Sequence, residues 1–122
     1  MAIQAIFAMC FTPEMYIRRP EFVDTLTDFV RGRPAQPVHA FLGQADAAMR
    51  HDATAVLREI EAPTLITFGA HDLVCSTRFA EPLASGIGKS ELVVFEHLSH
   101  CGLHEDPDTF NRATLDFLLR QR

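Results

Sequence analysis

Asp72 and His100 carry the most specific chemistry this sequence offers, because each stands where a run of strand-forming residues gives way to a loop. His100 lies in Leu98-Ser99-His100-Cys101-Gly102-Leu103-His104-Glu105-Asp106-Pro107, which reads as the passage from a strand, across a loop, into a terminal helix. A histidine there is held by rigid elements on both sides and free at its tip, as a general base requires. Such a base works with an acid behind it. Upstream, the apolar run Thr64-Leu65-Ile66-Thr67-Phe68 ends in Gly69-Ala70-His71-Asp72 and offers one. Asp72 and His100 at successive strand ends make two thirds of a nucleophile triad, in which the carboxylate accepts the Nδ1 proton of the imidazole and fixes its tautomer. The plainer alternatives are an aspartate that caps Val74 or Cys75 and a histidine with a loop or core role.

The neighbouring thiols and imidazoles invite other chemistry. Cys75 and Cys101 flank the two candidates and resemble nucleophiles, but small apolar packing is the simpler role for both. His97, His100 and His104 are spaced by three and four, which on one helix face would bind zinc or nickel. His97 ends a strand and Gly102 interrupts any helix, so the three rings do not share a face and no metal site is predicted; no residue pattern points to another cofactor.

The elements that must position Asp72 and His100 follow from punctuation and periodicity. Thr64 to Phe68 is apolar apart from its threonines, the pattern of a parallel strand buried on both faces, and Glu91 to Phe95 reads as the next strand. Ser76-Thr77 opens a helix between them that Gly86 and Gly88 stop; Asp106-Pro107 caps and opens the last helix, whose Phe110, Ala113, Thr114, Phe117 and Leu118 face the sheet. Ahead of them, Asp52 can cap a short helix from Ala53 to Arg58. An apolar helix over residues 2–11 ends at Thr12-Pro13. Further helices follow, one with Phe22, Val23, Leu26, Phe29 and Val30 at helical spacing and Gly32 as its stop, and one with Val38, Phe41, Leu42, Ala45 and Met49.

The fold class is therefore α/β: two parallel strands with flanking helices, residues 52–122, preceded by a helical segment, residues 1–51. Two parallel strands make a poor sheet, and the strand at Thr64 to Phe68 is expected to present an unpaired edge that a second copy, a swapped element or a preceding N-terminal half would cover. At 122 residues and 48% hydrophobic content the chain can bury a real core. A net charge of −5 with interspersed signs gives no reason to expect nucleic acid or an anionic membrane as partner. Cys10, Cys75 and Cys101 are odd in number and widely spaced, and the apolar start lacks a basic leader and is too short to span a bilayer, which favours a reducing cytoplasm.

Ala62-Pro63 through Asp72, followed by His100, Glu105, Pro107, Phe110, Asn111 and Phe117-Leu118, resembles the C-terminal portion of a bacterial α/β-hydrolase of the esterase, lactonase and haloperoxidase-like group, from about Leu57 to Arg122. The resemblance implies that Asp72 is the triad acid and His100 its base, and that the substrate is a small molecule with an ester, lactone or related acyl bond attacked by a serine. It implies that residues 1–51 are lid-like; the plainer reading is a helical layer that buries its stripe. Phe7, Phe11, Met15, Phe41 and Leu73 become the expected pocket residues. Family members carry the serine in a Gly-x-Ser-x-Gly turn, and this sequence has none: Ser85 precedes Gly86 but follows Leu83 and Ala84. The expectation is a hydrolase portion that is inactive alone; the alternative is a non-catalytic α/β scaffold that self-associates or binds a protein. Ser99 stands where the family often has glycine, and Glu105 is expected to support the helix start.

Overall fold

The computed structural model describes residues 2–121, so Met1 and Arg122, the outer ends of the two expected segments, lie outside the described residues. Two strands, β1 (Thr64–Gly69) and β2 (Ser90–Phe95), pair in parallel from Thr64 opposite Ser90 to Gly69 opposite Phe95. Parallel pairing needs a crossover. The chain makes it through a 3₁₀ turn at Thr77–Phe79, opened by Ser76 Oγ accepting from the Arg78 N–H, and a helix, α5 (Ala80–Gly86). Ile66 and Phe68 of β1 meet Ala80 of α5 and Ile87 in a buried cluster, with Leu57, Leu83, Ala84 and Val94 packed around it. Leu57 comes from a 3₁₀ segment, Thr54–Glu59, where Asp52 accepts from the Thr54 N–H.

The helices before the sheet are α1 (Ala2–Cys10), α2 (Pro13–Arg18), α3 (Pro20–Arg31) and α4 (Val38–Arg50). Pro13 and Pro20 each take a first helical position, where the missing N–H costs nothing and the fixed φ suits the turn. Cys10, Phe11, Met15 and Val23 form a second buried cluster, flanked by Phe7, Phe22, Leu26 and Cys101. Edge-on ring contacts of Phe11 with Phe7 and Phe22 reinforce it. Cys101 belongs to the far end of the chain, so this cluster ties the helical segment to the loop after β2. Helix α4 differs from its neighbours: none of its residues is buried, with Phe41 58% and Met49 87% exposed. Its apolar stripe has the helical spacing read from the sequence, but nothing among the described residues covers it.

Beyond β2 come a single turn, α6 (Gly102–Glu105), and α7 (Pro107–Leu119), whose N-cap Asp106 accepts from the Thr109 N–H. Phe117 is buried and Phe110 packs on Phe95 with ring centroids 5.8 Å apart, whereas Leu118 points to solvent. Only β1 and β2 make up the sheet among the described residues, so the far edge of β1 is unpaired. Among the described residues no helix is long and apolar enough to cross a membrane.

Candidate functional site

The C-terminal ends of β1 and β2 are locked together by their backbones. Ala70 and His71 donate their N–H groups to the carbonyls of Phe95 and Leu98, each at 3.0 Å, and the Ser99 hydroxyl donates to the His71 carbonyl at 3.0 Å. This crossing requires glycine at 69: a β-carbon there would lie 2.3 Å from the Ser99 carbonyl oxygen and 2.5 Å from that of Leu98. Leu98, 1% exposed, is the most deeply buried large side chain, and removing it from water contributes about 2 kcal/mol to fixing the loop that His100 stands on.

On this frame Asp72 and His100 meet. His100 Nδ1 and Asp72 Oδ2 are 2.9 Å apart. The other carboxylate oxygen, Oδ1, accepts from the N–H groups of Val74 and Cys75, both at 2.7 Å. Asp72 thus caps the turn with one oxygen and meets the imidazole with the other. The two amides fix the carboxylate plane so that Oδ2 faces the ring. The Asp72 side chain is only 7% exposed, while His100 keeps 35% of its surface in water. With Nδ1 held by the carboxylate, Nε2 is the nitrogen left for proton exchange.

Glu105, expected only to support a helix start, is the polar centre of the site's wall. Its Oε1 accepts from both the N–H and the hydroxyl of Thr12, each at 2.6 Å, and its Oε2 accepts from the Ser99 N–H at 2.6 Å. The residue before His100 is thus joined through one carboxylate to the turn between α1 and α2. Serine fits at position 99 because the backbone needs no left-handed conformation there; among the described residues none, glycine included, has positive φ. Arg19 adds a bond from its guanidinium to the His104 carbonyl at 3.0 Å, and the Cys101 N–H donates to the Cys10 carbonyl at 2.9 Å.

The remaining candidates separate. His97 pairs through Nε2 with Asp106 at 3.0 Å, His104 lies against the Phe22 ring, and His100 faces Asp72, so the three histidines at helical spacing serve three different partners. Burial, and then the nearby Cys10, push the Cys101 thiol up to about 11, which keeps it protonated at neutral pH and poorly nucleophilic. Cys101 packs as expected, but Cys75 does not: it is exposed. Ser85 lies on α5 with its hydroxyl donating to Glu81. A cleft of about 1,200 Å³ runs beside Asp72 and is lined by Phe11, Met15, Leu73, Arg18 and Arg19 among others. Phe7 instead borders a smaller groove with Tyr16 and Val23, and Phe41 on α4 lines neither. The position of Glu105 in the wall was signalled by no local pattern, because its partner Thr12 is 93 residues away.

No family model matches the chain. Over 67 residues it is 42% identical to a proline iminopeptidase of Thermoplasma volcanium, a match covering 55% of this chain and 22% of that protein. Over 71 residues it is 41% identical to a 2-hydroxy-6-oxo-6-phenylhexa-2,4-dienoate hydrolase of Comamonas testosteroni, covering 58% of this chain and 24% of that protein. The matches span about a quarter of the length of these curated relatives. Among solved structures, an esterase from Exiguobacterium antarcticum aligns with a TM-score of 0.75 over 94% of this chain and 41% of that chain, at 23% identity, which establishes the likeness of fold. In fold and in sequence, these residues correspond to the C-terminal part of an α/β-hydrolase.

Proposed function

We propose that Asp72 and His100 are the acid and base of a serine-type hydrolase acting on a small molecule with an ester, lactone or related acyl bond. The observation that supports this most directly is the 2.9 Å contact between His100 Nδ1 and one oxygen of the Asp72 side chain, 7% exposed, whose other oxygen is fixed by two amides. In the reaction, His100 Nε2 takes the serine hydroxyl proton as oxygen attacks the acyl carbon, then returns it to the leaving group. Asp72 stays ionised and stabilises the imidazolium formed between those steps. The serine comes from sequence outside these 122 residues, since no Gly-x-Ser-x-Gly occurs within them. Residues 1–51 act as the lid-like segment beside residues 52–122, and the setting is the cytoplasm.

The partner that supplies the serine also covers the exposed apolar faces. The accessible surface is 9009 Å². A compact protein of this mass exposes roughly 6,600 Å², which leaves an excess of roughly 2,400 Å², the scale of a permanent interface. The unpaired edge of β1 and the bare stripe of α4 lie on that surplus. We assign it to the preceding part of a hydrolase; self-association of a non-catalytic scaffold is the competing reading, favoured by the same surplus.

Denaturing mass spectrometry, light scattering and a p-nitrophenyl ester assay on one preparation decide between them. The expected result is an inert 122-residue chain and ester cleavage once an N-terminal hydrolase segment is joined to it, lost again in His100→Ala. A joined protein that cleaves ester equally well with His100→Ala overturns the assignment, and a stable self-associated, inert assembly that refuses such a segment supports the scaffold.

A further inference from the structure

We propose that Asp72, Cys75 and His100 form a site for a borderline-soft divalent cation, zinc in particular. One ligand atom from each of the three lies within 4.8 Å of the others. Zinc bonds of about 2.0–2.3 Å to oxygen, nitrogen and sulfur set tetrahedral donor separations of about 3.3–3.6 Å. The Asp72 Oδ2 to His100 Nδ1 distance of 2.9 Å is already close to that range. Cys75 is exposed, and a side-chain rotation lets its sulfur close on the other two donors from within 4.8 Å.

The surroundings of the three donors favour coordination. Asp72 Oδ1 is tied to the Val74 and Cys75 amides, so the ligating oxygen is pre-oriented, and the backbone of Cys75 is held to the same carboxylate that would share the ion. The side chain of Asp72 is 7% exposed, so its negative charge is poorly screened by water. One carboxylate, one thiolate and one neutral imidazole neutralise a divalent ion, and the sulfur and nitrogen donors select zinc over magnesium or calcium. A fourth position is left to water on the exposed side of His100 and Cys75, as in open three-ligand zinc sites.

The protons balance simply. As the ion binds Nδ1, the ring proton moves to Nε2, and Cys75 releases its thiol proton to solvent, one proton for each ion bound. An ion so placed separates Asp72 from His100, so metal binding and the proposed proton transfer exclude each other. The proposal stands on the position of three side chains and does not rest on the acyl-transfer reading; it is tested without any substrate, and its failure leaves that reading intact.

The test is titration of the reduced 122-residue chain with Co²⁺ and then Zn²⁺. Expected are one ion per chain, a sulfur-to-cobalt charge-transfer band displaced by Zn²⁺, and a loss of about tenfold or more in affinity for Cys75→Ser and for His100→Ala. His97→Ala and His104→Ala should bind as the parent does. Alkylation read peptide by peptide gives a second measurement that needs no variant: Zn²⁺ should protect Cys75. Absence of the band, unchanged affinity in Cys75→Ser, dependence on His97 or His104, or protection of Cys10 or Cys101 instead of Cys75 would overturn the site.

Discussion

The segment from β2 to α7 carries two histidines that each meet a carboxylate at nearly equal distance, 2.9 Å for His100 with Asp72 beyond β1 and 3.0 Å for His97 with Asp106. Distance does not separate them. Burial and the choice of ring nitrogen do. The Asp72 side chain is 7% exposed and Asp106 32%, so the first pair interacts through protein and the second largely through water. His100 presents Nδ1 to its carboxylate, which leaves the tip nitrogen Nε2 out of the contact; His97 spends Nε2 on its contact. Asp106 has a second occupation as well, as N-cap of α7. The lesson is that an acid–imidazole contact becomes a candidate for proton transfer when the acid is shielded, its other oxygen is fixed, and the ring's far nitrogen is left free.

The strongest break of this comparison is Asp72→Asn set against Asp106→Asn in the joined, ester-cleaving protein. Asp72→Asn should lower kcat by on the order of 10³–10⁴-fold, because an amide donor turns the imidazole to the wrong tautomer, while Asp106→Asn should stay within about twofold. Next in size is Gly69→Ala. Its β-carbon would drive the carbonyls of Leu98 and Ser99 away, at a cost of about 3 kcal/mol in a urea melt. In nitrogen NMR the hydrogen-bonded Nδ1 signal of His100 should weaken while the His97 contact persists.

The smallest effect concerns pH. The Thr109 N–H, its side chain and then His97 hold the Asp106 carboxyl down to about 2 from an ordinary 3.8. A group whose value falls on folding adds stability above its unfolded value, and that stability is lost as pH drops through the folded value. Melting stability should therefore decline between about pH 4 and pH 2, and Asp106→Asn, which keeps a capping side chain, should flatten that part of the curve. An unchanged slope would show that the exposed pair contributes nothing measurable.

Much of the sheet and its loops could be read from local signals. Thr64–Phe68 is apolar apart from its threonines and Asp106-Pro107 is a helix start, so each declares itself within a few residues. The proximity of Asp72 and His100 was legible because parallel strands bring their C-terminal ends together, and the register delivers it with Gly69 opposite Phe95. Three features were not legible. Thr12 and Glu105 are partners only through the tertiary fold. The α4 stripe reveals helical period but not what, if anything, lies over it. The exposure of Cys75 follows from Asp72 gathering the Val74 and Cys75 amides into a tight outward turn, which residue type alone does not encode.

Glu105 makes the floor of the cleft and the platform of His100 one mechanical part. Because a single carboxylate grips Thr12 with one oxygen and Ser99 with the other, a displacement at the α1–α2 corner is transmitted to the residue beside the imidazole unless one grip is released. A molecule wedged against Phe11 and Met15 would therefore pull on the His100 loop through a rigid strut, and the fit of whatever occupies the cleft would be felt as a change in where His100 points.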